Sequence, residues 1–228
     1  MTLDFSKFEV LTFDCYGTLI DWETGILGAL RPLTAQHGKA LSDAELLALY
    51  GELEARIEAG PYQRYREVLR GVVRGMGERL GFQATEAEMD SLPGSLGAWP
   101  PFPDTVAALR RLKTRYRLAI ISNTDDGLFA QTAKRLEVPL DAVVTAEQAG
   151  SYKPAFHNFH MALERLGVAK EKVLHVGQSR HHDIAPSRAL GIRNVLVVRR
   201  GRGAVLENAA QPDVEVPDLK TLADLAGV

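Results

Sequence analysis

Residues Phe8 to Trp22 read FEVLTFDCYGTLIDW. The first six, Phe8 to Phe13, are nearly all apolar and rich in β-branched and aromatic side chains. That pattern suits a strand buried on both faces of a parallel sheet. The run stops at Asp14. A carboxylate at a strand end, with Gly17 close behind, can be held by the backbone N–H groups of the turn, stay ionised and act as a nucleophile. The alternative is a turn aspartate that caps a helix. The strand pattern returns at Arg117–Ser122 (RLAIIS), Asp141–Thr145 (DAVVT), Lys172–Val176 (KVLHV) and Asn194–Val198 (NVLVV), and Val214 with Val216 makes a last short strand. Amphipathic helices are predicted between them over Asp104–Arg115, Asp125–Glu137, Pro154–Leu166 and Asp183–Leu190. Gly167 and Gly191 stand where a helix C-cap glycine belongs. Pro103-Asp104 and Lys153-Pro154 mark helix starts. Strand and helix in alternation predict βαβ units and a Rossmann-like, doubly wound parallel α/β sheet.

Residues 21–96 break the rhythm. They read as successive helices over Thr24–His37, Asp43–Ala59, Gln63–Leu80 and Thr85–Asp90, with Pro32 expected to kink or divide the first. The expected organisation is an α/β core of residues 1–20 and 97–228 with an all-helical cap, residues 21–96, inserted after the first strand. The chain has 228 residues, 46% apolar and 25% charged, which excludes a disordered or collagen-like chain. Twenty-seven Lys and Arg against 29 Asp and Glu leave a net charge of −2, which recommends neither nucleic acid nor an anionic membrane as partner. One cysteine, Cys15, excludes an internal disulfide and a cysteine-based zinc cluster. No apolar run is long enough to span a membrane. The start, MTLDFSKFEV, lacks the features of a secretory signal, so a cytoplasmic protein is expected.

In an open α/β sheet, ligands bind beyond the C-terminal strand ends. The residues that follow the predicted strands are Asp14, Ser122-Asn123, Lys153 and the loop Gly177–Asp183. They are expected to gather at one edge beneath the cap. A lysine near Asp14 would keep it ionised; alone, Lys153 reads equally as a solvated loop residue. Ser122 and Asn123 can bind a substrate carboxylate or cap the next helix. Asp183 can act as a base, pair with Lys153 or cap a helix.

Asp14-x-Tyr16-Gly17-Thr18-Leu19, Ser122-Asn123, Lys153-Pro154 and the Gly177…Asp183 loop together resemble the four ordered motifs of the haloacid dehalogenase superfamily, over nearly the whole chain. FDCYGTLIDW is most similar to its type II 2-haloacid dehalogenases. Superfamily phosphatases usually carry an aspartate two residues after the nucleophile as general acid, and an acid after the fourth-motif glycine for Mg²⁺. This chain has Tyr16 and Gln178 there, so a poor leaving group is badly served and a hard cation weakly held. The resemblance therefore implies metal-free hydrolysis of a small 2-haloalkanoic acid, with no cofactor. The alternatives are a Mg²⁺-dependent small-molecule phosphatase and a low-turnover small-anion binding protein.

The same resemblance assigns roles. Asp14 attacks C2 and expels halide. Thr18 and Lys153 orient Asp14. Asp183 positions Lys153 and the hydrolytic water. Cys15, Tyr16, Ser122, Asn123, Gln178 and Arg180 are the expected substrate-binding set, with Asn123 and a cap arginine receiving halide. A homodimer is the assembly implied. The chain departs from the family pattern in three places. Gly51 stands where the cap arginine is expected, leaving Arg56, Arg64 or Arg66 as substitutes. Phe159 replaces a tyrosine. Arg180 stands where an amide is common. His181-His182, in the fourth-motif loop, and His157/His160, outside the motifs, read as non-metal residues. Trp22, Trp99, Tyr62 and Phe102 are candidates for the cleft between cap and core. Arg199-Arg200-Gly201-Arg202 reads as a solvated basic loop.

Overall fold

The computed structural model describes residues 3–199, 201 and 208–228. Six parallel strands form one sheet in the order β3-β2-β1-β4-β5-β6: β1 Val10–Phe13, β2 Arg117–Ser122, β3 Ala142–Thr145, β4 Val173–Gly177, β5 Arg193–Val197 and β6 Val214–Val216. The order reverses at β1, which lies between β2 and β4. The crevice of a doubly wound sheet falls at such a reversal.

Period-two alternation builds the two faces of the sheet. Val10, Ala119, Ile121, Val144 and Val173 pack on one side with Phe159, Ala162 and Leu166. Leu11, Phe13, Leu118, Ile120, Leu174 and Val176 pack on the other with Leu109 and Leu112. The rhythm of apolar runs legible in the sequence is thus the rhythm of a sheet covered on both faces. The predicted strand Arg117–Ser122 matches β2 residue for residue. The others shift by one or two positions at their ends.

Between β1 and β2 the chain forms α1 (Trp22–Gln36), α2 (Asp43–Glu58) and α3 (Tyr65–Leu80), then short helical turns at Glu86–Met89, Ser91–Ser95 and Leu96–Ala98. Ser42 and Glu45 form a capping box at the start of α2. Gly81 ends α3 in the left-handed conformation, with φ 77°. Pro32 does not divide α1. It lies on the exposed side of one continuous helix, where water can take up the carbonyl that its ring leaves unpaired. Helices α4 (Thr105–Lys113), α5 (Asp126–Leu136), α6 (Phe156–Leu166) and α7 (Leu219–Leu225) flank the sheet. The helix expected from Asp183 instead begins as a π-helical turn, Arg180–Ile184, that runs into Ala185–Ala189. π-Helical turns often accompany functional sites, because the extra residue re-aims a side chain. No helix among the described residues is long and apolar enough to cross a membrane.

The α/β unit holds the helical insert through polar contacts. Asp125, just after β2, accepts the backbone N–H groups of Tyr65 and Arg66, each at 2.8 Å, and so supplies the cap that the start of α3 lacks. Tyr152 donates its hydroxyl to Gln63 O at 2.8 Å, and Arg64 pairs with Glu147 at 3.0 Å.

Candidate active site

Asp14 follows β1 directly, Ser122 ends β2, Lys153 sits in the loop after β3, and Gly177 ends β4. Because these strands are parallel neighbours, their C-terminal ends bring the four positions together. Lys153 Nζ donates to Asp14 Oδ1 at 2.8 Å and to Asp183 Oδ1 at 2.7 Å. Thr18 Oγ1 donates to Asp14 Oδ2 at 2.7 Å and accepts from the Gln178 N–H at 3.0 Å. Asp183 Oδ2 accepts from the Ser179 N–H at 3.1 Å. The Asn123 amide holds the lysine loop: its Nδ2 donates to Lys153 O at 3.1 Å and its Oδ1 accepts from Lys153 N–H at 2.7 Å.

Three charges therefore share a dry site. The Lys153 side chain is 1% exposed and that of Asp183 fully buried. Burial opposes the ammonium, yet Asp14 and Asp183 outweigh it and hold Lys153 above its ordinary value. Burial also opposes ionisation of Asp183, but Lys153 and the His175 hydrogen bond hold it below the usual carboxylate range. For Asp14, burial wins over Lys153 and lifts the carboxyl above that range. A carboxylate that is ionised yet more basic than usual is a better nucleophile.

Beneath Asp183 lies a residue that sequence reasoning passed over. His175 Nε2 is 3.3 Å from Asp183 Oδ1, and His175 Nδ1 is 2.9 Å from Thr12 Oγ1. The two residues face each other in register on β4 and β1. Thr12 and Asp183 thus engage the two ring nitrogens from opposite sides. The signal in the sequence was a single histidine inside the apolar run KVLHV.

A cavity of about 340 Å³ opens above Asp14. Tyr16, Ser122, Asn123, Lys153, Gln178 and His182 line its sheet side. Burial pushes His182 down to about 4, so its ring is neutral. The Ser122 hydroxyl is buried with no hydrogen-bond partner among the described residues. A buried, unsatisfied hydroxyl at a cavity wall is matched to a ligand's acceptor. The Tyr16 hydroxyl lies 2.9 Å from Thr132 Oγ1, where either oxygen can donate, and burial raises it further from ionisation.

Several expected positions differ. The Arg180 side chain leaves the cavity, donating to Ala210 O at 2.8 Å and pairing with Glu215, because the π-helical turn aims it outward. Cys15 is fully buried in the apolar core and absent from the cavity wall. Trp22 lines the cavity, whereas Trp99 packs edge-on against Tyr16 at 5.8 Å. Neither Tyr62 nor Phe102 lines it. Arg199 is not solvated: it donates to Thr18 O and to Asp104, and it lies 4.1 Å over the Phe102 ring. Arg200 and Arg202 lie outside the described residues. His157 and His160 are exposed on α6.

These residues do not fit a divalent cation of the kind that superfamily phosphatases bind. An ammonium lies between the two carboxylates, and all four of their oxygens already have donors. Gln178 is neutral, and no group of three or more His, Cys, Asp or Glu among the described residues could hold a metal ion.

Gly177 shows how tightly the site is built. A Cβ there would stand 2.4 Å from Asp183 Cγ. Gly177→Ala is expected to cost about 1–3 kcal/mol of stability by overpacking and to reduce turnover by displacing Asp183. Urea unfolding read beside kcat checks both effects.

An α/β sheet with an aspartate after its first strand, a buried lysine and a second aspartate defines a class of hydrolase. A family model for haloacid dehalogenase-like hydrolases matches residues 8–191, and the chain belongs to that family. It is 26% identical to haloacetate dehalogenase H-2 of Moraxella sp. (strain B), over 97% of this chain and 99% of that protein. It is 29% identical to a glyceraldehyde 3-phosphate phosphatase of Methanocaldococcus jannaschii over 55% of this chain and 56% of that protein. The L-2-haloacid dehalogenase from Xanthobacter autotrophicus shares the fold, with a TM-score of 0.83 over 96% of this chain and 98% of that one at 20% identity.

Proposed function

We propose that the protein hydrolyses small 2-haloalkanoic acids to 2-hydroxy acids through an Asp14 ester, without a metal. The observation that carries this reading is the presentation of Asp14 to the cavity by Lys153 and Thr18, with a tyrosine held far from ionisation, Tyr16, in place of a general-acid carboxyl. A halide leaves without a proton; an alkoxide does not.

Asp14 Oδ attacks C2, and the carbon–halogen electron pair departs with the halide. Water then attacks the Asp14 carbonyl carbon and releases the 2-hydroxy acid, restoring the carboxylate. Lys153 and Thr18 orient Asp14. Ser122 donates to the substrate carboxylate. Asp183 positions Lys153, with His175 fixing Asp183 from behind. Asn123 holds the Lys153 loop. Residues 21–96 act as a cap that closes the cavity over a core of residues 1–20 and 97–228. The full-length likeness to a haloacetate dehalogenase supports the reading; the phosphatase likeness covers about half the chain.

Halide release from racemic 2-chloropropionate in chelator, beside phosphate release from an aryl phosphate with Mg²⁺, tests it. Halide release that chelator leaves intact is expected. Phosphate release alone would overturn the reading, and silence in both assays would favour a binding protein.

A further inference from the structure

The arginine expected to receive halide is missing from the cavity. Gly51 offers no side chain. Arg64 pairs with Glu147, Arg66 pairs with Asp90 at 2.6 Å, and Arg56 is exposed. Ala48, Gly51, Ala55 and Glu58 line the cavity from one stripe of α2, at helical spacing. Glu52 and Glu54 line the cavity from the same helix; Glu52 pairs with Arg79, and Glu54 stands beside Glu58. Glu54 Oε1 accepts the hydroxyls of Tyr50 and Tyr65, each at 2.6 Å. Glu58 has no hydrogen-bond partner among the described residues.

Two neighbouring half-buried carboxyls do not both ionise readily. Burial raises Glu54 as well, but the two tyrosine hydroxyls favour its anion and Glu58 has no such donors, which favours the proton on Glu58. Burial and the Glu54 charge raise Glu58 to about 9, against the pull of Lys153. Glu54 and Tyr50 face it from α2, Tyr65 from α3, and Tyr152 and Lys153 from the loop after β3. Asp14, Asp183 and the neutral His182 share the cavity with it.

We propose that the Glu58 carboxylic acid is the O–H donor that receives the departing halide, in place of a cap arginine. The proposal rests on the displacement reading above. As the Asp14 Oδ–C2 bond forms and the C2–halogen bond breaks, the electron pair leaves with the halogen. The halide accepts a hydrogen bond from Glu58, whose proton stays in place. A neutral donor suits this cavity, because an ionised Glu58 beside the Glu54 anion would add to the repulsion of the substrate carboxylate and the halide.

The test compares wild type, Glu58→Gln and Glu58→Ala in three measurements: halide release across pH from 2-fluoro- and 2-bromopropionate, saturable quenching of tryptophan fluorescence by bromide, and thermal unfolding against pH. Trp22 lines the cavity and reports bromide there. Glu58→Ala should lose about 10²-fold in kcat, more for fluoride than for bromide, and should lose saturable bromide binding. Glu58→Gln keeps a donor; it should retain most of kcat and abolish the fall in rate near about pH 9. The folded wild type holds a proton that the unfolded chain releases above its ordinary value of 4.5, so its stability should decline with pH from there towards about 9, and that of Glu58→Gln should not. Wild-type kcat and bromide binding in Glu58→Ala would overturn the proposal and leave the displacement reading standing. Bromide binding that depends on Glu58, in a wild type that releases no halide, would uphold the anion donor and overturn the displacement reading. A wild type that neither binds bromide nor releases halide would overturn both.

Discussion

Asp14→Asn should lose turnover by at least about 10⁴-fold. The amide is nearly the size of the carboxylate, so its oxygen can keep the Lys153 contact while Thr18 Oγ1 turns to accept from its N–H, and the nucleophilic anion disappears. Substrate binding should survive, because Ser122 and the cavity walls are unchanged. The measurement is kcat for halide release, with intact mass at the end of the assay to detect an asparagine that has deamidated back to aspartate. Activity near the wild-type level in undeamidated protein would remove Asp14 from the chemistry. The wild-type pH profile carries a related expectation. Asp14 must be ionised and burial raises it, so kcat/KM should fall on acidification through a value above the ordinary carboxylate range.

Lys153→Met should be nearly as damaging and should also destabilise the fold. The ammonium is the one positive charge between two carboxylates at 2.8 and 2.7 Å. Without it, both carboxyls are buried without compensation, a change that costs about 3–5 kcal/mol in comparable pairs. Asp14, raised by burial and no longer held down by Lys153, then takes up its proton more readily, and kcat should drop by at least about 10²–10³-fold. The contribution of Asp183 to the pH dependence of stability changes sign. In wild type, Asp183 lies below its ordinary value, so its contribution is present above that value and lost as pH falls through the lower one. In Lys153→Met both buried carboxyls favour the protonated state, so acidification should bring the variant closer to wild type. Urea unfolding at neutral pH and at about pH 5 checks this.

Much of this arrangement was legible in the residues. RLAIIS and FEVLTF declare buried strands by composition alone, and Asp14, Ser122 and Lys153 gather because parallel strands end on one edge. Side-chain direction was not legible. Arg180 sits one residue after Ser179 in a loop aimed at the site, yet the π-helical turn sends it to Glu215. Glu54 and Glu58 stood in ELEARIE, inside the predicted helix Asp43–Ala59, where nothing singled them out. Only tertiary packing turns that helix over Asp14 and closes Tyr50 and Tyr65 around Glu54. His175 was hidden for the opposite reason, as one polar residue inside a strand whose neighbours are all apolar. Asp125 caps a helix about sixty residues earlier in the chain, a distance at which capping rules give no signal.

The central claim is that the displaced halogen is replaced first by an oxygen of Asp14. A single turnover in ¹⁸O-enriched water, with enzyme in excess over 2-chloropropionate, tests it directly by mass spectrometry of product and of the peptide that contains Asp14. The account predicts a first-turnover 2-hydroxy acid whose new oxygen is unlabelled, with one ¹⁸O in the Asp14 peptide. Label in the product and none in that peptide would mean that water attacks the substrate carbon itself, and the ester would have to be abandoned.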